Sequence, residues 1–491
     1  MSQQEEFKSI SIAEFLHKHP QLAGHENRTK SALTSIRELV ENSLDSCENA
    51  SILPDIKIHV KTLENNMYEV KVIDNGTGIR EQDIPKAFAE VLTSTKYVNK
   101  QYRGLLGLGG KFVLIMGQVN TRRPFTIISA VQNSRYIYAY VMEVDLKRNK
   151  PIIHKHERLN NKYNWRGTIV KFYSTADFLR ARNRIINYLK LTSIVCPYAT
   201  IRFYFDKELI YEFKRVTTSM PKAPKIVKFH PHGIDAQTLD YLIKSSKNST
   251  LVEFMTRNFQ RVGQTIAEKI LKYCEMQNKE IHNLTRDEIK YLAEKMKEYN
   301  KFLAPTSECL SPIGETILKQ GLYVNYEPEF ICYTQRKGVL SGHPFIIEVA
   351  VGYGGKVKKG LHLLRYANRM PLVYDSSSCM IQKVLENINL HQYRINDETP
   401  LIVVVHICST KVPYKTVGKE YISADFEELN HIMRLCYGDV FRKIRDYISK
   451  RIRYEHSRKR LNILKKYLAH IITYTAETLN KPKINVEEII K

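Results

Sequence analysis

Glu38 and Asn42 stand four residues apart in the stretch Ile36-Arg37-Glu38-Leu39-Val40-Glu41-Asn42-Ser43-Leu44-Asp45. On a helix that spacing sets a carboxylate and an amide on one face, a single turn apart, with Asp45 beside them. The carboxylate can align and polarise water as a general base. The amide oxygen suits a hard cation. Leu33, Ile36, Val40 and Leu44 form the apolar stripe on the opposite side, which is what such a helix needs in order to bury itself. A polar face of this kind is most often only solvated, so the partners that would make it a site must come from elsewhere in the chain.

Three further stretches supply suitable chemistry. Asp74-Asn75-Gly76-Thr77-Gly78 closes the alternating run Tyr68–Ile73. A buried carboxylate at that corner can accept a hydrogen bond from an exocyclic amine such as that of adenine, while glycine brings the backbone close to a flat ligand. The same residues by themselves also describe a plain turn. Gly104-Leu105-Leu106-Gly107-Leu108-Gly109-Gly110-Lys111 runs into the apolar helix Phe112–Met116. Its glycines leave N–H groups able to face phosphate at a helix N-terminus, although it lacks the G-K-[ST] ending of a P-loop. Thr95 and Lys96, just upstream, add a hydroxyl and a cation. Far downstream, the loop Ser409–Glu420 carries Lys411, Lys415 and Lys419, from which a second domain could reach a γ-phosphate.

The elements that must position these groups follow from periodicity. Ile56–Lys61 and Tyr68–Ile73 alternate as neighbouring strands. A helix is expected over Ile84–Leu92, strands at Phe125–Val131, Ile137–Val144, Thr168–Tyr173 and Thr200–Phe205, and a helix over Ala176–Leu189. Helices and mixed strands in one early half predict an α/β sandwich. Prolines among lysines mark a linker at Ser219–Gly233, and Asp235–Phe302 is helical throughout. A second boundary falls near Pro305–Gly314. Beyond it the strands Phe345–Val351 and Leu361–Tyr366 flank the loop Gly352–Gly360. A helix at Ser377–Ile388, the apolar strand Leu401–Ile407 and a long helix from about Asp425 follow. A hairpin followed by strand–helix–strand implies a right-handed crossover. Val440, Ile444, Ile448 and Ile452 recur at helical spacing in the last helix, flanked by arginines and lysines.

Composition narrows the class. The 491 residues suffice for roughly three domains, and 43% hydrophobic with 26% charged residues exclude a disordered chain. Lys+Arg 76 against Asp+Glu 51 gives +25, which points to an acidic polymer, nucleic acid before an anionic membrane. No run of about 18 apolar residues offers a membrane span, and Met1–Glu6 is unlike a secretory signal. Eight cysteines without a C-x-x-C pair argue against structural zinc or a disulfide framework and fit a reducing cytosol.

Taken together, E-x-x-x-N at Glu38 and Asn42, D-x-G-x-G at Asp74, the Gly-rich lid and Gly167-Thr168 resemble the GHKL ATP-binding fold of gyrase, MutL and histidine kinases. The chain is closer still to the B-subunit family of archaeal type IIB DNA topoisomerases (topoisomerase VI). Arg37–Asp45 matches that family's signature helix, and Lys96-Tyr97-Val98-Asn99 and Arg103-Gly104 lead into its lid. Ser341–Phe345, Leu364–Leu372 and Ser409–Glu420 match its transducer.

The resemblance implies an α+β chain. An N-terminal strap and GHKL (Bergerat) sandwich would occupy 1–228, and a helix-two-turn-helix module 229–307. An S5-domain-2-like transducer with a long C-terminal helix would occupy 308–470, and a tail contacting an A subunit 471–491. It implies ATP and Mg²⁺ as ligands. Glu38 would be the general base and Asn42 the Mg²⁺ ligand. Asp74 would read the adenine amine, and Gly78 would keep the base pocket open. Thr95 and Lys96 would line the nucleotide, and Gly104, Leu105, Leu106, Gly107, Leu108, Gly109, Gly110 and Lys111 would wrap the phosphates. Lys419 would meet the γ-phosphate, and Asp45 would be structural.

The implied partners are a separate DNA-cleaving A subunit in an A₂B₂ heterotetramer, a second copy of this chain on ATP binding, and duplex DNA, in a cytoplasmic, nucleoid-associated setting. An alternative is a divergent clamp or scaffold of the same family without turnover. The chain departs from the family pattern at Leu105-Leu106, where two glutamines are common, at the extra Gly110, and at Arg166 before Gly167. Leu390-His391-Gln392-Tyr393 keeps only the tyrosine of a W-K-x-Y stretch, and the end at Lys491 implies a short or absent C-terminal extension.

Overall fold

The computed structural model describes residues 14–15, 18–19, 26–91, 93, 98–104, 107–247, 249–415, 419–480, 482 and 485. Helix α1 (Arg28–Asn49) begins where the Asn27 side chain accepts the Lys30 N–H, a cap that satisfies one of the orphan donors of the first turn. Its stripe of Leu33, Ile36, Val40 and Leu44 is no more than 2% exposed. The stripe packs with the rest of the core on one face of an eight-stranded sheet.

That sheet runs β5-β4-β3-β6-β2-β1-β7-β8. Its strands are β1 (Asp55–Thr62), β2 (Tyr68–Asp74), β3 (Phe125–Ala130), β4 (Tyr136–Asp145), β5 (Lys150–Asn160), β6 (Gly167–Ser174), β7 (Thr200–Phe205) and β8 (Glu208–Phe213). The pairing of β1 with β2 is antiparallel and that of β1 with β7 parallel. Strict alternation of buried and half-buried residues along β2 marks a sheet covered on one face. The covering layer includes α1, α3 (Gly109–Thr121) and α4 (Phe178–Val195), while α2 (Ile84–Ala89) sits beside β4 and β5. Strand β5 escapes sequence detection because nearly every residue in it is exposed, which leaves no apolar period to read.

The helices α5 (Ala236–Ser245), α6 (Leu251–Asn258), α7 (Gln264–Tyr273) and α8 (Arg286–Glu298) enclose a separate core that includes Leu239, Phe254, Ile270 and Leu292. Capping boxes at Thr250 and Thr285 start two of them. Helix α9 (Glu315–Tyr326) then packs against α4 so closely that a Cβ at Gly321 would lie 1.9 Å from the Ile194 carbonyl oxygen. Neither α9 nor strand β9 (Phe330–Leu340) is signalled by the sequence pattern.

The second sheet runs β12-β11-β13-β10-β9. It comprises β9, β10 (His343–Tyr353), β11 (Leu361–Ala367), the two-residue β12 (Met370–Pro371) and β13 (Leu401–Ser409), with α10 (Met380–Glu386) between β12 and β13. The hairpin expected around Gly352–Gly360 is corrected here. Strand β10 pairs with β9, and β13 lies between β10 and β11, parallel to the latter. Strand β13 is buried at every position, so its apolar run reflects cover on both faces.

Helix α11 (Glu427–Leu479) has 53 residues, about 80 Å at 1.5 Å per residue. It buries Val440, Ile444 and Ile448 against the second sheet and is largely exposed beyond. One apolar core extends from the first sheet into Ile317, Leu318, Ala350, Tyr366, Ile402 and Val404 of the second half. All eight cysteines are free and buried. No helix among the described residues is long and apolar enough to cross a membrane.

Candidate functional site

Burying its apolar stripe turns the polar face of α1 outward, where Asn42 is exposed and the Glu38 side chain is 13% exposed. The N-terminus of α3 comes directly over this face. A Cβ at Gly109 would lie 1.8 Å from Glu38 Oε2, and one at Gly110 would lie 2.8 Å from Asn42 Nδ2. Glycines allow that approach without displacing the Glu38 and Asn42 side chains. The first helical bond of α3 is Phe112 N–H to the Leu108 carbonyl, 2.9 Å. The N–H groups of Gly109, Gly110 and Lys111 therefore lie ahead of it, in the position where helix termini receive anions.

Asp74 ends β2 beneath the same helix. The Ser43 hydroxyl donates to Asp74 Oδ2 at 2.9 Å, and the N–H groups of Gly76 and Thr168 donate to Oδ1 at 2.9 and 3.2 Å. Thr168 reaches it because β6 pairs with β2 in a register that sets Asp74 opposite Thr168. Burial pushes the Asp74 carboxyl up to about 6, against the pull of these three donors. Gly78 has φ +68°, and a Cβ there would meet the Ala130 carbonyl oxygen at 2.0 Å, so no L side chain fits that turn. The result is a buried acceptor with an open backbone corner beside it.

Lys419 arrives from the loop after β13. Its ammonium lies 3.9 Å from Glu38 Oε1 and 3.8 Å from Glu41 Oε2. The next residue, Glu420, pairs with Lys30 in the first turn of α1. Glu41 is a site residue that the sequence pattern did not single out. Burial raises its carboxyl to about 7, with Lys419 opposing the shift. Ser43 was missed as well, because a hydroxyl beside Asn42 gives no sign of which strand end it faces.

The other sequence candidates divide. Gly104, Gly107 and Leu108 are partly buried in the approach to α3. Lys111, expected at the phosphates, is 6% exposed, and its ammonium donates to the carbonyls of Glu90, at 2.6 Å, and Thr93. Burial lowers its pKa to about 8. Thr95, Lys96, Leu105 and Leu106 lie outside the described residues. No group of three or more His, Cys, Asp or Glu that could hold a metal occurs among the described residues. A cation here would rest on Asn42 and on ligand oxygens, which fits Mg²⁺, an ion that keeps several waters and is commonly held by one or two protein groups plus phosphate.

A buried ionic chain ties α1 to the second sheet. Arg103 donates to Glu48 through both terminal nitrogens, at 2.6 and 2.7 Å, and to Asp45 at 2.9 Å. Glu48 also meets Arg369 at 3.0 Å and the Tyr198 hydroxyl at 2.6 Å. The Arg369 N–H donates to His406 Nε2 at 2.9 Å, and His406 Nδ1 meets Glu348 Oε2 at 2.7 Å. Asp45 is thus held within the fold.

The two halves of this arrangement each match a known family. The topoisomerase VI B-subunit transducer matches residues 305–460, and the histidine kinase-, DNA gyrase B- and HSP90-like ATPase matches residues 30–161. The chain is 40% identical over 479 residues to the B subunit of type 2 DNA topoisomerase 6 from Sulfurisphaera tokodaii, covering 95% of this chain and 89% of the relative. It is 38% identical to the protein of that name from Saccharolobus islandicus, covering 96% and 90%, and to that from Saccharolobus shibatae over the same shares. The site therefore sits in a GHKL ATPase joined to a topoisomerase VI transducer, and the chain belongs to the family of type 2 DNA topoisomerase 6 B subunits, the ATP-driven subunits of type IIB topoisomerases.

Proposed function

We propose that this chain binds and hydrolyses ATP between α1, the Asp74 corner and the Gly104–Lys111 segment, and that the γ-phosphate is read by Lys419. The observation that carries this reading is the approach of Lys419, on the loop after β13, to within 3.9 Å of Glu38 on α1. A transducer lysine and a candidate base that converge from opposite halves of the chain can respond to one phosphate group together. Asp74 accepts the adenine amine as a carboxylate. Gly78 leaves room for the ring. The backbone of Gly104–Lys111 wraps the phosphates, with Thr95 and Lys96 alongside, and the Lys111 side chain braces the Glu90–Thr93 turn. Glu38 takes a proton from water as its oxygen attacks the γ-phosphorus and ADP departs. Asn42 would hold Mg²⁺, which when bound neutralises charge on the phosphate oxygens.

ATP binding then draws two copies of the chain together around a DNA duplex, and hydrolysis releases them. Strand passage would use a double-strand break made by an A subunit in an A₂B₂ complex, in the nucleoid of the cytoplasm. The separate core of the helical module supports its division at 229–307, and the two distinct sheets support a strap and ATPase at 1–228 and a transducer at 308–470, which share one apolar core where they meet. A contact between the end of α11 and the A subunit is supported by its exposed Leu464, Tyr467, Ile471 and Tyr474, spaced as one helical stripe. The deciding experiment is Glu38→Ala. ATP turnover should fall about 10²–10⁴-fold, while a non-hydrolysable ATP analogue still drives dimerisation. A chain with no turnover to lose, or no ATP-dependent relaxation when joined to its A subunit despite normal nucleotide affinity, would sink the proposal.

A further inference from the structure

Glu41 is a buried carboxylate inside the site that neither the water-aligning role nor the cation role uses. Its side chain is 4% exposed, and neither oxygen has a hydrogen-bond partner among the described residues. Two cations approach without closing to hydrogen-bond distance: Lys419 Nζ at 3.8 Å and Arg37 Nε at 3.7 Å. The Tyr414 hydroxyl, on the same loop as Lys419, is buried and likewise has no partner among the described residues. A buried carboxylate normally gathers two or more hydrogen bonds, because leaving it short of them costs free energy. A structural ion pair would be expected to close, as Arg103 closes on Glu48 at 2.6 Å. Lys419 instead stands nearly equidistant from Glu38 and Glu41, with its backbone in the left-handed region at φ +55°. Among the described residues, the ammonium meets both carboxylates at ion-pair rather than hydrogen-bond distance.

We infer that Glu41 is a positioning residue that holds the Lys419 ammonium over α1 in the nucleotide-free chain, competing with the phosphate for it and so setting the nucleotide concentration at which the chain closes. The inference rests on the proposed reading of Lys419 as the phosphate sensor. The geometry favours competition because Glu41 and Glu38 lie on adjacent turns of the polar face. A phosphate placed over the N-terminus of α3 would draw the ammonium from Glu41 while leaving it within reach of Glu38. Arg37, one turn before Glu41 and 3.7 Å from it, remains as the counter-charge when the lysine leaves.

The test is the concentration of a non-hydrolysable ATP analogue that gives half-maximal dimerisation of the full chain, read by light scattering. Glu41→Gln removes the competing charge and should lower that concentration about fivefold or more. Glu41→Asp keeps the charge but withdraws it by one methylene, and should shift it in the same direction by less. Thermal midpoints of the nucleotide-free variants show that each is folded, and Glu41→Asp carries the test if Glu41→Gln does not fold. A merely structural Glu41 would give a lower thermal midpoint with closure unchanged or requiring more nucleotide, and either result overturns the inference. Lys419→Met separates the two readings. If it closes as readily as the unaltered chain, the sensor assignment fails, and the role of Glu41 with it. If it does not close while both Glu41 variants leave the concentration unmoved, only the inference about Glu41 falls.

Discussion

A methyl group at Gly109 would stand 1.8 Å from Glu38 Oε2 and 2.3 Å from its carboxyl carbon. The obstacle is the far end of a flexible side chain, so Gly109→Ala should fold, at the expense of where Glu38 points. Displacement of a reacting group by about 1 Å can cost on the order of 10²-fold in rate. Gly109→Ala is accordingly expected to lower ATP turnover about that much while nucleotide affinity, measured by titration with a fluorescent analogue, changes little. A large loss of affinity with normal turnover would contradict the placement of Glu38 under α3.

Asp74 makes a second residue-scale prediction. Its carboxyl is pushed up to about 6 by burial, and the ionised form accepts from an amine more strongly than the acid, whose hydroxyl oxygen carries a donor instead. Nucleotide affinity should therefore fall as the pH drops through about 6 and level off once the acid form predominates. In the nucleotide-free chain the folded state binds this proton more tightly than the unfolded one. The contribution of Asp74 to stability therefore declines as pH rises from the ordinary carboxylate range to about 6. Asp74→Asn should weaken nucleotide affinity by about 1.5–3 kcal/mol and flatten the pH dependence seen by titration calorimetry. A variant that keeps the same pH profile would refute the assignment.

At the scale of elements, the question is how α1 and the second sheet stay in register. The chain Asp45–Arg103–Glu48–Arg369–His406–Glu348 joins the end of α1, the segment before the Gly-rich loop, β13 and β10, and every member is buried. Removing one partner of a buried network leaves the others desolvated. Arg103→Met should therefore destabilise the fold by about 3–5 kcal/mol, seen as a lower midpoint in thermal denaturation. Arg158→Met, which breaks an exposed pair with Glu81, should leave the midpoint unmoved. Equal effects at the two sites would show that the chain through Arg103 does not brace the elements.

For the whole molecule, the surplus of +25 predicts that duplex DNA is held through its phosphates. If six to ten phosphates are neutralised, affinity should fall about 10³–10⁵-fold between 50 and 200 mM salt, and a flat response in a filter-binding series would exclude that mode. The outer part of α11 is the other whole-molecule feature, since it carries Leu464, Tyr467, Ile471 and Tyr474 into solvent. Deleting residues 453–491 should abolish co-purification with the A subunit and leave nucleotide-driven dimerisation intact. Loss of both would mean that the segment serves the fold of this chain itself.

Much of the fold and part of the site were legible from residue order, for a local reason. A period of 3.6 or of 2 is written within a few neighbouring positions, so α1, with Glu38 and Asn42 on its polar side, and the strands ending at Asp74 could be read directly. Strand β5 could not, since its exposed side chains carry no such period. The order of the second sheet, with β13 between β10 and β11, could not either, because pairing depends on which edges meet. The same holds within the site. Ser43 finds Asp74 across 31 residues and Lys30 finds Glu420 across 390. Glu41 becomes a counter-charge only once the loop after β13 has folded back over α1. The sequence determined which groups could do chemistry and which helix and strand carried them. The tertiary structure decided which groups share a charge, which way Lys111 turns, and that Lys419 comes to stand between two carboxylates, because packing and sheet register set distances that no local pattern encodes.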